Sequence, residues 1–182
     1  MRLFYCVELP EDVRATLARG TRGLRARIRG GTWVAEENLH ITLRFLGEVG
    51  EGLLPALRDL SSAVASETAP FVLPLERLGA FPHPGRTRVL WAGPTADDAP
   101  FAILAQRIEE DVQTLGFPPE RKAAHPHVTL ARLRIPQDLA SVVEGTTLPI
   151  LRARVDGLTL MESELRPHGP LYTPVARWPL GA

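Results

Sequence analysis

One cysteine, Cys6, and one lysine, Lys122, are all that a chain of 182 residues contains of those two types. A single thiol closes no internal disulfide, so packing and hydrogen bonds must hold the fold, and a reducing, cytoplasmic setting is the expectation. Net charge is also missing: Lys+Arg and Asp+Glu number 21 each. That balance excludes a protein-wide field drawing the molecule to nucleic acid or an anionic membrane, and leaves any anion site to local residues. No apolar run approaches the ~20 residues that span a bilayer. The N-terminus lacks a basic segment followed by an apolar one, so neither export nor membrane insertion is expected. Low-complexity segments, charged tails and Gly/Ser linkers are absent, and residues 1–182 read as one domain, expected to be monomeric. What is present is ordinary for a globular protein, at 45% hydrophobic and 23% charged residues.

Periodicity outlines the elements. Arg2 to Leu9 is a strand stopped by Pro10, and Glu11 to Ile28 a helix weakened by Gly20 and Gly23. Gly50 to Glu67 and Pro100 to Leu115 show helical spacing, the second ended by Gly116. Phe71 to Leu78 and Arg88 to Ala92 suggest a hairpin around the turn-rich Phe81 to Gly85. A short helix is expected around Pro136 to Glu144, then strands near Leu151 to Glu162 and Leu171 to Arg177.

One pattern occurs twice, about half the chain apart: His40-Ile41-Thr42-Leu43 and His127-Val128-Thr129-Leu130. In a strand, alternation puts His and Thr on one face and the apolar pair on the other. The spacing suggests an internal duplication, each half giving one strand to a shared cleft. Two histidines can divide proton transfer near neutral pH, one neutral as base and one protonated as acid. Such a pair suits displacement at phosphorus, where one proton leaves the nucleophile and another reaches the departing oxygen. The threonine hydroxyls can donate to non-bridging oxygens. Arg44 and Arg132 follow the tetrads; strict alternation sets Arg44 beside His40 and Arg132 on the far face, unless a bulge turns it.

These residues resemble the 2H phosphoesterase superfamily, and within it the RNA 2',3'-cyclic phosphodiesterase family, also called 2'-5' RNA ligase. The likeness runs from Met1-Arg2-Leu3-Phe4 and Glu8-Leu9-Pro10 through Trp33-Val34 and Asn38 to Gly47. It continues in Phe81-Pro82, Arg88 to Trp91, Pro126 to Arg132, and Ser163, Leu165, Gly169 and Tyr172. The resemblance implies a bilobal α+β fold, with two antiparallel β-sheets facing each other across a groove, helices outside and a pseudo-twofold duplication. It implies cofactor-free and metal-free hydrolysis of a terminal 2',3'-cyclic phosphate to a 2'-phosphate. The alternatives are 2'-5' end joining, or RNA-end binding in the same groove. His40 would be the acid and His127 the base, with the reverse assignment open; Thr42, Thr129 and Arg132 would hold the phosphate. Partners would be RNA ends, such as tRNA-like fragments, or small nucleoside cyclic phosphates.

Other residues carry plainer readings. His125 precedes His127 by two, but no Cys or carboxylate nearby completes a zinc site, so no metal is assigned. Arg44, Phe45, His125 and Tyr172 are kept as groove-lining residues, and Trp33 and Trp91 as further aromatics that could stack on a base or fill the core. His83 and His168 lie in Pro/Gly-rich loops. The series Arg14, Arg19, Arg22, Arg25, Arg27 and Arg29 reads as a solvated helix face.

Overall fold

The structure, a computed structural model, describes residues 1–167 and 169–181; the loop residue His168 lies outside them. In chain order the elements are β1 (Arg2–Glu8), α1 (Glu11–Arg27), β2 (Thr32–Trp33), β3 (His40–Glu48), α2 (Leu54–Glu67), β4 (Phe71–Leu75), β5 (Arg77–Phe81) and β6 (Thr87–Gly93). They continue with α3 (Ala99–Thr114), β7 (Val128–Gln137), α4 (Ala140–Glu144), β8 (Leu151–Val155), β9 (Gly157–Arg166) and β10 (Gly169–Pro179). The helices start and stop where local chemistry requires. Asp98 accepts from the Phe101 N–H at the start of α3, and Gly116 takes φ +89 just beyond its end. Acidic Glu11 and Asp12 open α1 and Arg25 and Arg27 close it, matching the helix dipole.

All strand pairs are antiparallel. One group runs β10-β9-β1-β3, the other β7-β6-β5 with β2 on β7, and the two join at one residue pair, Ile41 with Val128. The groove-facing sheets are therefore halves of one eight-stranded sheet pinched in the middle, with β4 and β8 as a separate pair. The halves of the sheet do not coincide with the halves of the chain, because β9 and β10 return to β1.

Two expected strands divide. The run from Phe71 splits at Glu76, whose N–H donates to the Gly93 carbonyl. β4 then pairs with β8, and only β5 forms the hairpin with β6. The run from Leu151 splits at Asp156 for the same reason: β8 serves one sheet and β9 the other. An apolar run shows that a segment is buried, not which sheet it joins.

β1 is buried on both faces. Leu3, Tyr5 and Val7 enter the main core with Val13 and Leu17 of α1, Leu57 and Val64 of α2, and Phe101, Leu104 and Ile108 of α3. Phe4 and Cys6 join Met161 and Tyr172 on the opposite, groove-facing side. The Tyr5 hydroxyl, 2.8 Å from the Ser61 Oγ, ties α2 to the sheet; burial pushes its pKa up to about 12, so it stays an un-ionised donor. The same burial raises the Cys6 thiol well above its ordinary value, which leaves it protonated and inert.

Candidate active site

The pairing of Ile41 with Val128 brings together the middle residues of the two tetrads. Because β3 and β7 run antiparallel, each histidine lies on the side of the other strand's threonine. His40, Thr42, His127 and Thr129 all line one groove, with Val34, Asn38, Phe45, Arg132 and Tyr172. The cavity they line measures about 70 Å3.

Each histidine is tethered in the same way. His40 Nδ1 lies 2.7 Å from the Asn38 carbonyl oxygen, and His127 Nδ1 lies 2.7 Å from that of His125. A carbonyl only accepts, so both Nδ1 atoms carry the proton and both Nε2 atoms are left to titrate. His40 Nε2 is 3.1 Å from the Thr42 hydroxyl, which donates to it while the ring is neutral. Aromatic rings fix both planes. Phe4 and Tyr172 pack on His40 at centroid distances of 5.0 and 5.2 Å. Phe81 and Trp91 pack on His127 at 5.0 and 6.1 Å. The indole of Trp91 has room because it lies over Gly79 and Gly93: a Cβ on either would sit within 3 Å of the ring.

Burial, first of all, holds both imidazoles below the ordinary histidine value. The Nδ1 tethers oppose the shift. Arg132 reinforces it on both rings, as do His127 on His40 and His125 on His127. Only His40 has a carboxylate pulling the other way, that of its cross-strand partner Glu8.

The two arginines after the tetrads exchange places relative to strict alternation. Pairing of β1 with β3 skips Leu43, and pairing of β6 with β7 skips Leu130. Each skip is a bulge that leaves two consecutive side chains on the core side and turns the next into the groove. Leu43 with Arg44 and Leu130 with Ala131 are buried, while Phe45 and Arg132 reach the groove. The expectation that Arg44 lines the groove is therefore corrected. It is 6% exposed and pairs with Glu109 of α3 at 2.5 Å and with Glu120 at 2.7 Å. It also donates to the carbonyls of Phe45 and Pro118.

His125 also stands outside the groove lining. Its ring stacks behind His127 at 6.1 Å and meets Trp91 edge-on at 5.0 Å, with Nε2 buried. Trp33 is half-buried under Arg25, and Trp91 is core. His83 is exposed, as are the arginines of the α1 series except Arg14, which is half-buried. Val34 had no assigned role in the sequence; it reaches the groove because its N–H donates to the Leu130 carbonyl, extending the β2–β7 ladder. Asn38 shares its tethering role with His125, and the common signal is position: each stands two residues before a tetrad histidine. Among the described residues no three His, Cys, Asp or Glu side chains converge as metal ligands would, and no helix is long and apolar enough to cross a membrane.

Comparison with known proteins agrees with this geometry. The profile of the 2'-5' RNA ligase superfamily matches residues 10–167. An RNA 2',3'-cyclic phosphodiesterase of Thermus thermophilus is 38% identical over 187 aligned positions, covering 99% of this chain and 90% of that protein. One of Methanothermobacter thermautotrophicus is 33% identical, with 95% of each chain covered. Among solved structures, TT0787 of Thermus thermophilus superposes with a TM-score of 0.83 at 37% identity, over 100% of this chain and 98% of that one. E. coli LigT complexed with 3'-AMP gives 0.77 at 29% identity with the same coverage.

Proposed function

Because the chain belongs to the 2'-5' RNA ligase superfamily and turns two histidine Nε2 atoms into one groove, we propose that it hydrolyses terminal 2',3'-cyclic phosphates of RNA to 2'-phosphates. No metal takes part in this reading. The substrate class comes from relatives named RNA 2',3'-cyclic phosphodiesterase; the chemistry comes from the site. The observation that carries it is the matched pair of Nδ1 tethers, which leave one titrating nitrogen on each side of the groove.

Water attacks phosphorus while the bond to O3' breaks, so the nucleophile must lose a proton on one side and O3' must gain one on the other. His127 Nε2 takes the proton of water and His40 Nε2 gives one to O3'. Glu8 favours the protonated form of His40 and His125 the neutral form of His127, which supports this assignment. In the free protein both rings favour the neutral form. A bound cyclic phosphate brings a negative charge between them and raises their proton affinity, so the substrate helps to charge its own acid. Once His40 Nε2 carries a proton it no longer accepts from Thr42. The Thr42 hydroxyl is then free to donate to a phosphoryl oxygen, as Thr129 does from the other strand. Arg132 supplies full positive charge, and Phe45, 52% exposed at the groove, offers a face for the base. In this reading the whole chain acts as one two-lobed monomer in a reducing, cytoplasmic setting, and 2'-5' joining is the same displacement with a 5'-hydroxyl in place of water as the nucleophile and O3' again the leaving group.

The test is hydrolysis of a nucleoside 2',3'-cyclic phosphate in excess EDTA, with identification of the product isomer. Wild type should yield the 2'-phosphate, and His40→Ala and His127→Ala should each lose about 10²–10⁴-fold in kcat. Activity abolished by EDTA, or retained in both variants, would refute the mechanism.

A further inference from the structure

The groove does not end at His40. A second cavity, of about 170 Å3, meets it along a wall shared by Asn38, His40 and Tyr172. Both are open to solvent and lie in succession, so an extended ligand seated in the first can continue into the second.

The lining indicates which part of a nucleotide the second cavity takes. Leu39, Met161 and Pro174 give it apolar surface, while Arg14, Arg177, Glu8 and Glu37 give it charge. Two guanidiniums against two carboxylates leave no net preference for an anion, which argues against a phosphate. Glu8 and Arg177 are also occupied with each other, through bonds of 2.6 and 3.1 Å, and the Thr159 hydroxyl donates to the same carboxylate at 2.9 Å. Arg177 in turn holds the Glu8 carboxyl below its ordinary value, so the pair is charged at neutral pH. The groups left over are Arg14, whose Nε is buried without a partner among the described residues, and the exposed Glu37. One donor and one acceptor beside an apolar surface match a flat heterocycle that carries an acceptor next to an N–H, a pattern every RNA base presents, so the pair recognises a base without choosing among the four.

Building on the hydrolysis proposed above, we infer that this second cavity is a subsite for the base of the penultimate nucleotide of an RNA end. Arg14 donates to an acceptor on the edge of the base and Glu37 accepts from its N–H. Neither residue lines the groove that holds the two histidines, so the subsite can be removed without touching the reacting atoms.

The experiment compares kcat/KM on a mononucleoside 2',3'-cyclic phosphate with that on dinucleotides ending in the same cyclic phosphate and carrying G, C, A or U at the 5' position. For wild type, the dinucleotides should exceed the mononucleoside by about 10–100-fold, the scale of one stacked and hydrogen-bonded base. In the Arg14→Ala/Glu37→Ala double variant that advantage should vanish, with the mononucleoside rate unchanged. Three results would overturn the subsite and leave hydrolysis standing: no dinucleotide advantage in wild type, an advantage that disappears with salt, or equal losses on all substrates in the variant. Failure of wild type on every substrate would refute the hydrolytic reading and the subsite with it.

Discussion

Replacing Arg44 with methionine removes the centre of a cluster that joins β3 to the segment leading into His127. Four groups lose their partner: Glu109, Glu120, and the carbonyls of Phe45 and Pro118. Glu120 is 48% exposed and can turn to water, so its share is that of a surface pair, about 0–1 kcal/mol. Glu109 is 22% exposed and is left as a poorly solvated charge. Methionine keeps much of the packing of the arginine stem, so the net loss should be about 3 kcal/mol, the lower end of the range for breaking a buried pair. For a chain of this size that lowers Tm by roughly 6–12 °C. A kinetic consequence follows from where the partners sit. Pro118 and Glu120 lie between α3 and His127, so the folded variant, assayed well below its Tm, should lose kcat with KM little changed. Arg44→Lys should recover part of the stability through Glu109, without the bonds of the planar fork. Urea unfolding followed by tryptophan fluorescence gives the stability, and initial rates on a nucleoside cyclic phosphate give the rest. A stability loss below about 0.5 kcal/mol would refute the energetic argument, being no more than an exposed pair contributes. Full destabilisation with wild-type kcat would refute the positional one.

Gly79→Ala should push the Trp91 indole out of its place beside His127, costing about 1–3 kcal/mol as an overpacked core site and lowering kcat; unfolding midpoints and rates measure both. Arg132→Gln should raise the proton affinity of both histidines, moving the acidic limb of the kcat/KM profile to higher pH, and should raise KM; a profile that does not move refutes the placement of its charge. Phe45→Ala should raise KM by the equivalent of about 1–3 kcal/mol of base stacking while sparing kcat, and an unchanged KM removes Phe45 from the base contact. Because both histidines titrate below their ordinary value when folded, the unfolded chain binds more protons as pH falls below about 6.5. Stability of the free protein should therefore decline from there down through the folded values, and the His40→Asn/His127→Asn double variant should flatten that decline in a Tm-against-pH series.

A continuous apolar run was enough to place β1, which is buried on both faces, and alternation and helical period placed the tetrads and α1, α2 and α3, where one periodic face meets the core. They failed where a residue is inserted. Parity put Arg44 in the groove and Arg132 out of it, and the bulges at Leu43 and Leu130 reverse both placements. Nothing in the composition of either tetrad marks a bulge, since a skipped leucine looks like any other buried leucine. Partner choice was equally hidden. The division at Glu76 depends on which strands are already free to pair, a property of the assembled sheet. The rings that fix His127 come from β5 and β6, and the separation in sequence between Phe81, Trp91 and His127 gives no local signal of their contact.

Lining up the tetrads by the bulges, instead of by their arginines, changes what the repeat means. Phe45 then corresponds to Arg132, Asn38 to His125, and Arg44 to Ala131. The backbone frame is matched on the two sides: a tether two residues before each histidine, a threonine two after, and a bulge that turns one more side chain inward. The side chains in that frame differ. The His40 side has the Glu8 carboxylate and the Phe45 ring; the His127 side has a second imidazole and a guanidinium. The hydrolysis proposed above needs two matched nitrogens to move the protons and a difference between them to set the direction. On that proposal the matched backbone supplies the first requirement, and the unlike residues around the two rings supply the second. Its directionality would then lie outside the repeated tetrads, in Glu8 and His125, each of which acts on one ring alone.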